Sequence, residues 1–319
     1  MKPSNDLQLI SDDLQAINET FNKIVQPFRA ALWNYCKYLT GSPWDAEDLL
    51  QETLLKAFSS LSKVKQSMNP KSYLFRVAHN TWLDYCRKNK VEIEELKIEN
   101  VYVEDSISYV EVSEAIETLI HHLSPKQASV VLLMEVYKFT SNETAEIIGT
   151  SEGAVYSLLN RARKNLKNIP KENEVIMSNI SLSREKEDVI QCYMESFVKG
   201  DFKTIGTLLA DYATNEVVGQ GIDIGKTQIR KNSMGDWASS GSEQHLFYEL
   251  INLFGKQAIV YTKQTENGTV LWDITTVEIE EGYIVSHKSY YFCKDFLLNA
   301  ANELNIKLAE DKELFGVQW

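Results

Sequence analysis

The chain has 319 residues, of which 44% are hydrophobic and 24% charged, and it carries a net charge of -12. That length suggests two or three domains, and the composition supplies ample material for packed cores, which excludes a disordered or fibrous chain. The acidity argues against a free-standing nucleic-acid binder, because phosphate contacts dominate such affinities.

The four cysteines, Cys36, Cys86, Cys192 and Cys293, are scattered without a CxxC pair, and there are five histidines. Neither a zinc site nor a disulfide framework is expected, and reduced structural thiols are the default. The first residues are polar and acidic, unlike a secretory leader, and no apolar run reaches membrane-spanning length. A cytoplasmic protein with no membrane contact and no cofactor is expected.

Residues 14–90 read as helical throughout. Phe21, Ile24, Val25, Phe28, Leu32, Tyr35 and Leu39 form one apolar stripe that ends at Thr40-Gly41. Asp45 is the expected cap of a second helix, whose apolar side includes Leu49, Leu50, Leu54 and Phe58. Its other side carries Glu47, Asp48, Gln51 and Glu52, which alone would read as a solvated face. After a polar loop at 62–70 a third helix mixes aromatics (Tyr73, Phe75, Trp82, Tyr85) with bases (Lys71, Arg76, Arg87, Lys88, Lys90). Rings that stack on unpaired bases among cations that hold the backbone suit single-stranded nucleic acid; an amphipathic core helix with a basic rim would look similar.

Residues 91–112 change sign abruptly. Glu92, Glu94, Glu95, Glu99, Glu104, Asp105 and Glu111 face a single Lys97, as in an acidic tether. Helix is expected again over 119–137, with Ser124-Pro125 opening its second part. The stretch FTSNETAEIIGTSEGAVYSLLNRARKNLK, residues 139–167, reads as two short helices around Gly149. Ala145 suits the helix crossing, Gly149 a turn at positive φ and Val155 an apolar anchor. Thr150 or Ser151 can cap the second helix, and Glu152 suits its positive end. Val155, Leu159, Ala162 and Leu166 should face inward. Tyr156, Ser157, Asn160, Arg161 and Lys164 share the opposite face, with no acid between Gly153 and Lys171, as a helix meant for a DNA major groove requires.

Pro170 ends this segment, and 171–180 read as a hinge. Residues from about 183 begin with two amphipathic helices broken at Gly200-Asp201. Strand-like segments follow at 215–218, 245–253, 257–265, 269–278 and 283–292, with turn signals at Gly255-Lys256, Asn267-Gly268 and Glu281-Gly282. A meander of antiparallel hairpins in an α+β domain is expected.

Two separated motifs resemble bacterial sigma-70 family sigma factors of the extracytoplasmic-function (ECF) type. DAEDLLQETLLKAF followed by PKSYLFRVAHNTWLDYCRK resembles region 2, and LSPKQASVVLLMEVYKFTSNETAEIIGTSEGAVYSLLNRARKNL resembles region 4. The resemblance divides the chain into 14–90 (region 2), 91–112 (acidic linker), 113–170 (region 4) and 183–319. It implies core RNA polymerase (beta-prime clamp and beta subunit) and promoter DNA as partners, with an anti-sigma factor or a small ligand as further candidates. Docking on the clamp falls to Asp48, Gln51 and Glu52. Recognition and melting of the -10 element falls to Asn80, with Trp82, Arg76 and Arg87, and the 62–70 loop is a candidate base pocket. The -35 element falls to Ser151, Tyr156, Ser157, Asn160, Arg161 and Lys164. The linker would thread toward the RNA exit path. Relatives usually carry a base at the position of Tyr156 and often at Leu158, whereas Arg161 and Arg163 keep the pattern.

The remainder is similar to SnoaL-like domains of the nuclear-transport-factor-two superfamily, a cone-shaped curved sheet, through FVKGDFKTIGTLLADYATNEV. The resemblance implies a regulatory domain. Tyr193, Trp237, Tyr248, Tyr261, Trp272 and Asp273 are candidates for either a packed core or a pocket lining. Strand alternation allows only one of Trp272 and Asp273 to point inward. With no His–Asp or paired-carboxylate spacing, catalytic and metal residues are not expected. A one-component DNA-binding regulator with a ligand-sensing C-terminal domain is the alternative reading.

Overall fold

A computed structural model describes residues 5–63, 69–88, 120, 122–166, 184–235 and 246–309. The chain divides into two compact units, Met1–Glu174 and Val175–Trp319.

The first unit opens with α1 (Asn5–Thr40), α2 (Pro43–Ser60) and α3 (Pro70–Lys88). The expected stripe on α1 buries Phe21, Val25, Leu32, Tyr35 and Leu39, joined by Trp33 and Cys36, whereas Ile24 is exposed. The turn after α1 uses Gly41 at φ 70°, a conformation open to glycine without strain. The α2 cap is Ser42 rather than Asp45: the Ser42 hydroxyl accepts from the Asp45 amide at 3.4 Å, and Pro43 occupies the first turn. Proline needs no amide partner there, so the cap falls one residue before it. Asp45 instead places its charge in the first turn, where the helix dipole favours it. α2 packs on α1 through Leu49, Leu50 and Ala57, and α3 closes the bundle with Leu74, Phe75 and Ala78. The linker at 91–112 and residues 64–68 of the proposed base pocket lie outside the described residues.

The second half of this unit contains α4 (Pro125–Val131), a π-turn (Leu132–Val136), α5 (Ser141–Ile148) and α6 (Glu152–Leu166). The Ser124 amide donates to Gln127 Oε1 at 3.1 Å. Thr140 caps α5, and Glu143 reaches back to the Thr140 amide at 2.8 Å. Hydrogen bonds from that amide and from the Thr140 hydroxyl hold the Glu143 carboxyl below its ordinary range. Gly149, at φ 68°, ends α5. Ser151, one of the two expected caps, accepts from the Ala154 amide at 3.3 Å and starts α6.

One aromatic seam joins the two halves. Phe75, fully buried, has its ring centroid 5.1 Å from Tyr35, 5.0 Å from Tyr137 and 5.2 Å from Phe139. Lys71 donates to the Tyr137 carbonyl at 3.3 Å and lies 4.3 Å from the Phe139 ring centroid. Buried His79 on α3 meets the Ser129 hydroxyl on α4 at 2.9 Å.

The second unit begins with α7 (Arg184–Val198) and α8 (Phe202–Leu208), split at Gly200 and recapped by Asp201. α8 ends earlier than its amphipathic pattern suggests, and β1 (Leu209–Val217) starts at Leu209, two residues before Asp211. The remaining elements are β2 (Gly221–Ile224), α9 (Lys226–Lys231), β3 (Leu246–Leu253), β4 (Lys256–Thr265), β5 (Gly268–Glu280), β6 (Tyr283–Ser289), α10 (Lys294–Glu303) and β7 (Lys307–Leu308). The strand order is β2-β1-β6-β5-β4-β3, with β7 beside β5. The sheet is mixed rather than a pure antiparallel meander, because β1 runs parallel to β6 and β7 parallel to β5. Register shifts in the β1–β6, β4–β5 and β5–β6 pairings bend it. α7 and α8 supply Ile190, Tyr193, Met194 and Ile205 to a core shared with Ile259, Tyr261, Trp272 and Ile284. Helices on a curved mixed sheet give the cone-like α+β layout expected of a SnoaL-like domain.

Candidate functional site

On α2, Asp48 and Glu52 are exposed and Gln51 is half-buried. They form one ridge because residues three and four apart share a helix face. Glu52 pairs with Lys56 at 2.7 Å. Glu47 does not belong to this solvated ridge. Its side chain is fully buried, accepts the Trp33 indole N–H at 2.9 Å and lies 3.6 Å from the Arg29 guanidinium. A carboxylate is tolerated inside only where donors satisfy it, and α1 provides them. A second hydrogen bond comes from the ridge itself: the Gln51 amide N–H donates to Glu47 Oε1 at 2.6 Å.

On α3, Arg76, Asn80 and Arg87 are exposed and fall at helical spacing on one ridge. Arg87 is paired with Asp84 at 2.9 Å. Trp82 lies away from this ridge, half-buried and stacked on Tyr85 with centroids 5.5 Å apart.

The helix-turn-helix of α5 and α6 buries Ala145, Val155, Leu159 and Ala162, the expected crossing and anchor residues. Leu166 is half-buried. Ser151, Tyr156, Ser157, Asn160, Arg161 and Lys164 are all exposed. Arg161 folds back so that Nε donates to the Ser157 carbonyl at 3.3 Å, and reaching a base edge requires it to swing out. Arg163 pairs with Glu135 of the π-turn, so its role in the fold is a tether.

In the second unit the expected pocket residues separate. Tyr193, Tyr261 and Trp272 are buried in the core cluster. Tyr248 lines a surface groove of about 500 Å³ with Glu187, Asp188, Gln191, Met194, Glu249 and Leu250. Trp237 lies outside the described residues. The alternation argument for Trp272 and Asp273 is overturned. On β4 the register steps from Tyr261, opposite Asp273, to Thr262, opposite Leu271, so that it skips one residue of β5 at Trp272. A bulge puts two successive residues on one side. Trp272 therefore packs in the cluster with Lys263 4.9 Å from its ring centroid. Asp273 accepts from the Ser289 hydroxyl at 2.9 Å.

His287, which sequence spacing did not single out, is buried at the centre of a hydrogen-bond chain. Its Nδ1 meets Asn215 Oδ1 at 2.6 Å and its Nε2 meets the Tyr193 hydroxyl at 2.8 Å. The Asn215 amide donates to Ser233 at 2.9 Å, and Ser233 donates to Asp223 at 2.5 Å. The Asp223 carboxylate only accepts, which fixes every proton in the chain and makes Tyr193 the donor to His287. Only the inward period of β6 could have hinted at this position.

Burial holds the imidazoles of both His79 and His287 down to about 4 from an ordinary 6.5. The unfolded chain takes up these protons between about pH 6.5 and 4 while the folded chain does not, so stability is full above that window and falls on acidification. The loss approaches ~3 kcal/mol per histidine at the acid end. Urea midpoints measured from pH 7.5 to 4.5 should fall, and His79→Gln should flatten the fall for the first unit alone.

Among the described residues, no cluster of His, Cys, Asp and Glu is arranged to hold a metal ion, and no helix is long and apolar enough to cross a membrane. The described cysteines are all free thiols.

An exposed helix-turn-helix face beside a helical bundle with an acidic ridge places the chain among helix-turn-helix proteins. Residues 24–91 match the family model for Sigma-70 region 2, and residues 113–166 match that for Sigma-70, region 4. The chain is 32% identical over 148 residues to the RNA polymerase sigma-E factor of Streptomyces antibioticus, covering 46% of this chain and 82% of that protein. It is 28% identical over 226 residues to the ECF RNA polymerase sigma factor SigG of Mycobacterium tuberculosis, covering 62% of this chain. The chain spans 61% of the length of that relative. Among solved structures it is similar to the extracytoplasmic function sigma factor SigJ of Mycobacterium tuberculosis, with 19% identity, a TM-score of 0.32, and coverage of 85% of this chain and 96% of that one. The chain belongs to the sigma-70 family of RNA polymerase sigma factors, extracytoplasmic-function type.

Proposed function

We propose that this chain binds core RNA polymerase, directs it to specific promoters and initiates transcription there, acting in the cytoplasm by binding rather than by catalysis. The observation that carries this reading is the pairing of two exposed surfaces of opposite character in one sigma-family unit. The α2 ridge is acidic, and the α6 face carries Arg161 and Lys164, its one acid being Glu152 in the first turn. In the proposed division of labour Asp48, Gln51 and Glu52 engage the beta-prime clamp. Arg76, Asn80 and Arg87, with Trp82 beside them, open the -10 element. Ser151, Tyr156, Ser157, Asn160, Arg161 and Lys164 meet the -35 element. Asn160 can pair with adenine and Arg161 with guanine in the major groove. The domain limits that follow are 14–90, 91–112, 113–170 and 183–319.

An acidic chain gains promoter affinity only when the polymerase supplies most phosphate contacts. That separates this reading from a one-component regulator, which needs no polymerase. The test is transcription in vitro from a genomic promoter library with purified core enzyme, with and without the chain. Discrete start sites that require the chain are expected; their absence, or equal promoter binding without core, would overturn the proposal. The second unit is proposed to tune this output through an anti-sigma partner, a small ligand or the sigma domains themselves. A chain truncated after residue 180 should then give changed output in the same assay.

A further inference from the structure

The buried carboxylate of Glu47 lies beneath the proposed docking ridge, and the hydrogen bonds around it settle a question of chemistry. Gln51 is an amide with a donor end and an acceptor end, and either could face a partner. Glu47 Oε2 is taken by the Trp33 N–H at 2.9 Å, and Glu47 Oε1 receives the Gln51 amide at 2.6 Å with the Arg29 guanidinium 3.6 Å away. A carboxylate hydrogen-bonded by an indole and facing a guanidinium can take only the donor end of Gln51. The Gln51 carbonyl oxygen is therefore turned outward, beside the exposed carboxylates of Asp48 and Glu52. Around Gln51 the ridge thus presents oxygens, with Glu52 paired to Lys56 at 2.7 Å at its far end, and Leu55, 70% exposed, lies one turn on.

We propose that Glu47 is a positioning residue for core polymerase binding: it orients Gln51 so that its carbonyl oxygen faces outward beside the carboxylates of Asp48 and Glu52, and the polymerase face that meets it bears guanidinium or ammonium groups with an apolar contact at Leu55. This rests on the core-binding reading above and adds to it the chemistry of recognition and a residue that never touches the partner.

The isosteric variant Glu47→Gln reverses the orientation. Its carbonyl must stay against the Trp33 N–H, so its NH₂ faces Gln51 and draws in the Gln51 carbonyl, leaving the Gln51 NH₂ outward against a cationic partner. The double variant Glu47→Gln/Gln51→Glu restores an outward oxygen, because the new amide donates to one carboxylate oxygen and leaves the other free. Binding of the labelled full chain to purified core RNA polymerase is measured by fluorescence anisotropy, with thermal melting as the check on folding.

Glu47→Gln should weaken binding about tenfold, in line with loss of a charge-assisted hydrogen bond. The double variant should bind within about threefold of the original chain. Gln51→Met, which removes the acceptor and leaves Glu47 in place, should match Glu47→Gln and serves if the latter fails to fold. Unchanged binding by Glu47→Gln or Gln51→Met would overturn the proposal. So would a double variant as weak as Glu47→Gln, which would mark Glu47 as merely structural. An original chain that does not bind core at all would instead remove the core-binding reading on which this one stands.

Discussion

Replacing Asp48 and Glu52 together by arginine is expected to weaken core polymerase binding by at least about a hundredfold, roughly 2.7 kcal/mol. Like charges brought together at an interface cost several kcal/mol, so two reversals on one short ridge should exceed the loss of two contacts. Folding should be nearly unaffected. Both side chains are exposed, and the Glu52–Lys56 pair is an exposed pair one helical turn apart. Such pairs contribute only ~0.3–0.5 kcal/mol. Co-purification with core, with melting as the control, reads the outcome. Retention of both variant residues in a polymerase complex of undiminished affinity would sink the docking assignment.

The second large effect is expected in the seam of the first unit. Phe75→Ala should destabilise that unit by about 3–5 kcal/mol. Phe75 is fully buried, and its ring meets Tyr35, Tyr137 and Phe139 at centroid distances of 5.0 to 5.2 Å. The cavity would open where α1, α3 and the segment before α5 converge, so little of it can collapse. Against a typical stability of about 5–15 kcal/mol, that loss is large enough to populate open forms. Hydrogen exchange should rise across α3 and α5 and stay unchanged in β3 to β6. Phe75→Leu, which keeps most of the volume, should lose less than about 2 kcal/mol.

The helices were legible because their signals are local. The α1 stripe, the Gly149 turn and the anchors Val155, Leu159 and Ala162 follow from periodicity and from one positive φ. Glu47 was not legible as an anchor. Helical spacing puts it beside Asp48, and only the fold brings Trp33 and Arg29 of another helix to its oxygens. The hairpins β3–β4, β4–β5 and β5–β6 announced themselves through Gly255, Gly268 and Gly282, all at positive φ. β2 and α9 are short and carry little pattern, and α10 falls beyond the last turn signal. The bulge at Trp272 defeats alternation because an extra residue in one strand leaves no mark on composition. The residues proposed to face the promoter were legible as a face, since their exposure follows from the burial of their neighbours.

The parallel pairing of β1 with β6 bears on how the chain reaches its native state. Asn215 and His287 are partners across that ladder, 72 positions apart. A contact of such long range bears its loop-closure entropy before any hydrogen bond rewards it. On the ribosome the three-helix bundle can condense as soon as it emerges, whereas the sheet must wait until β6 has been made. Refolding from urea should accordingly show a fast helical phase and a slower phase reported by the β-rich half.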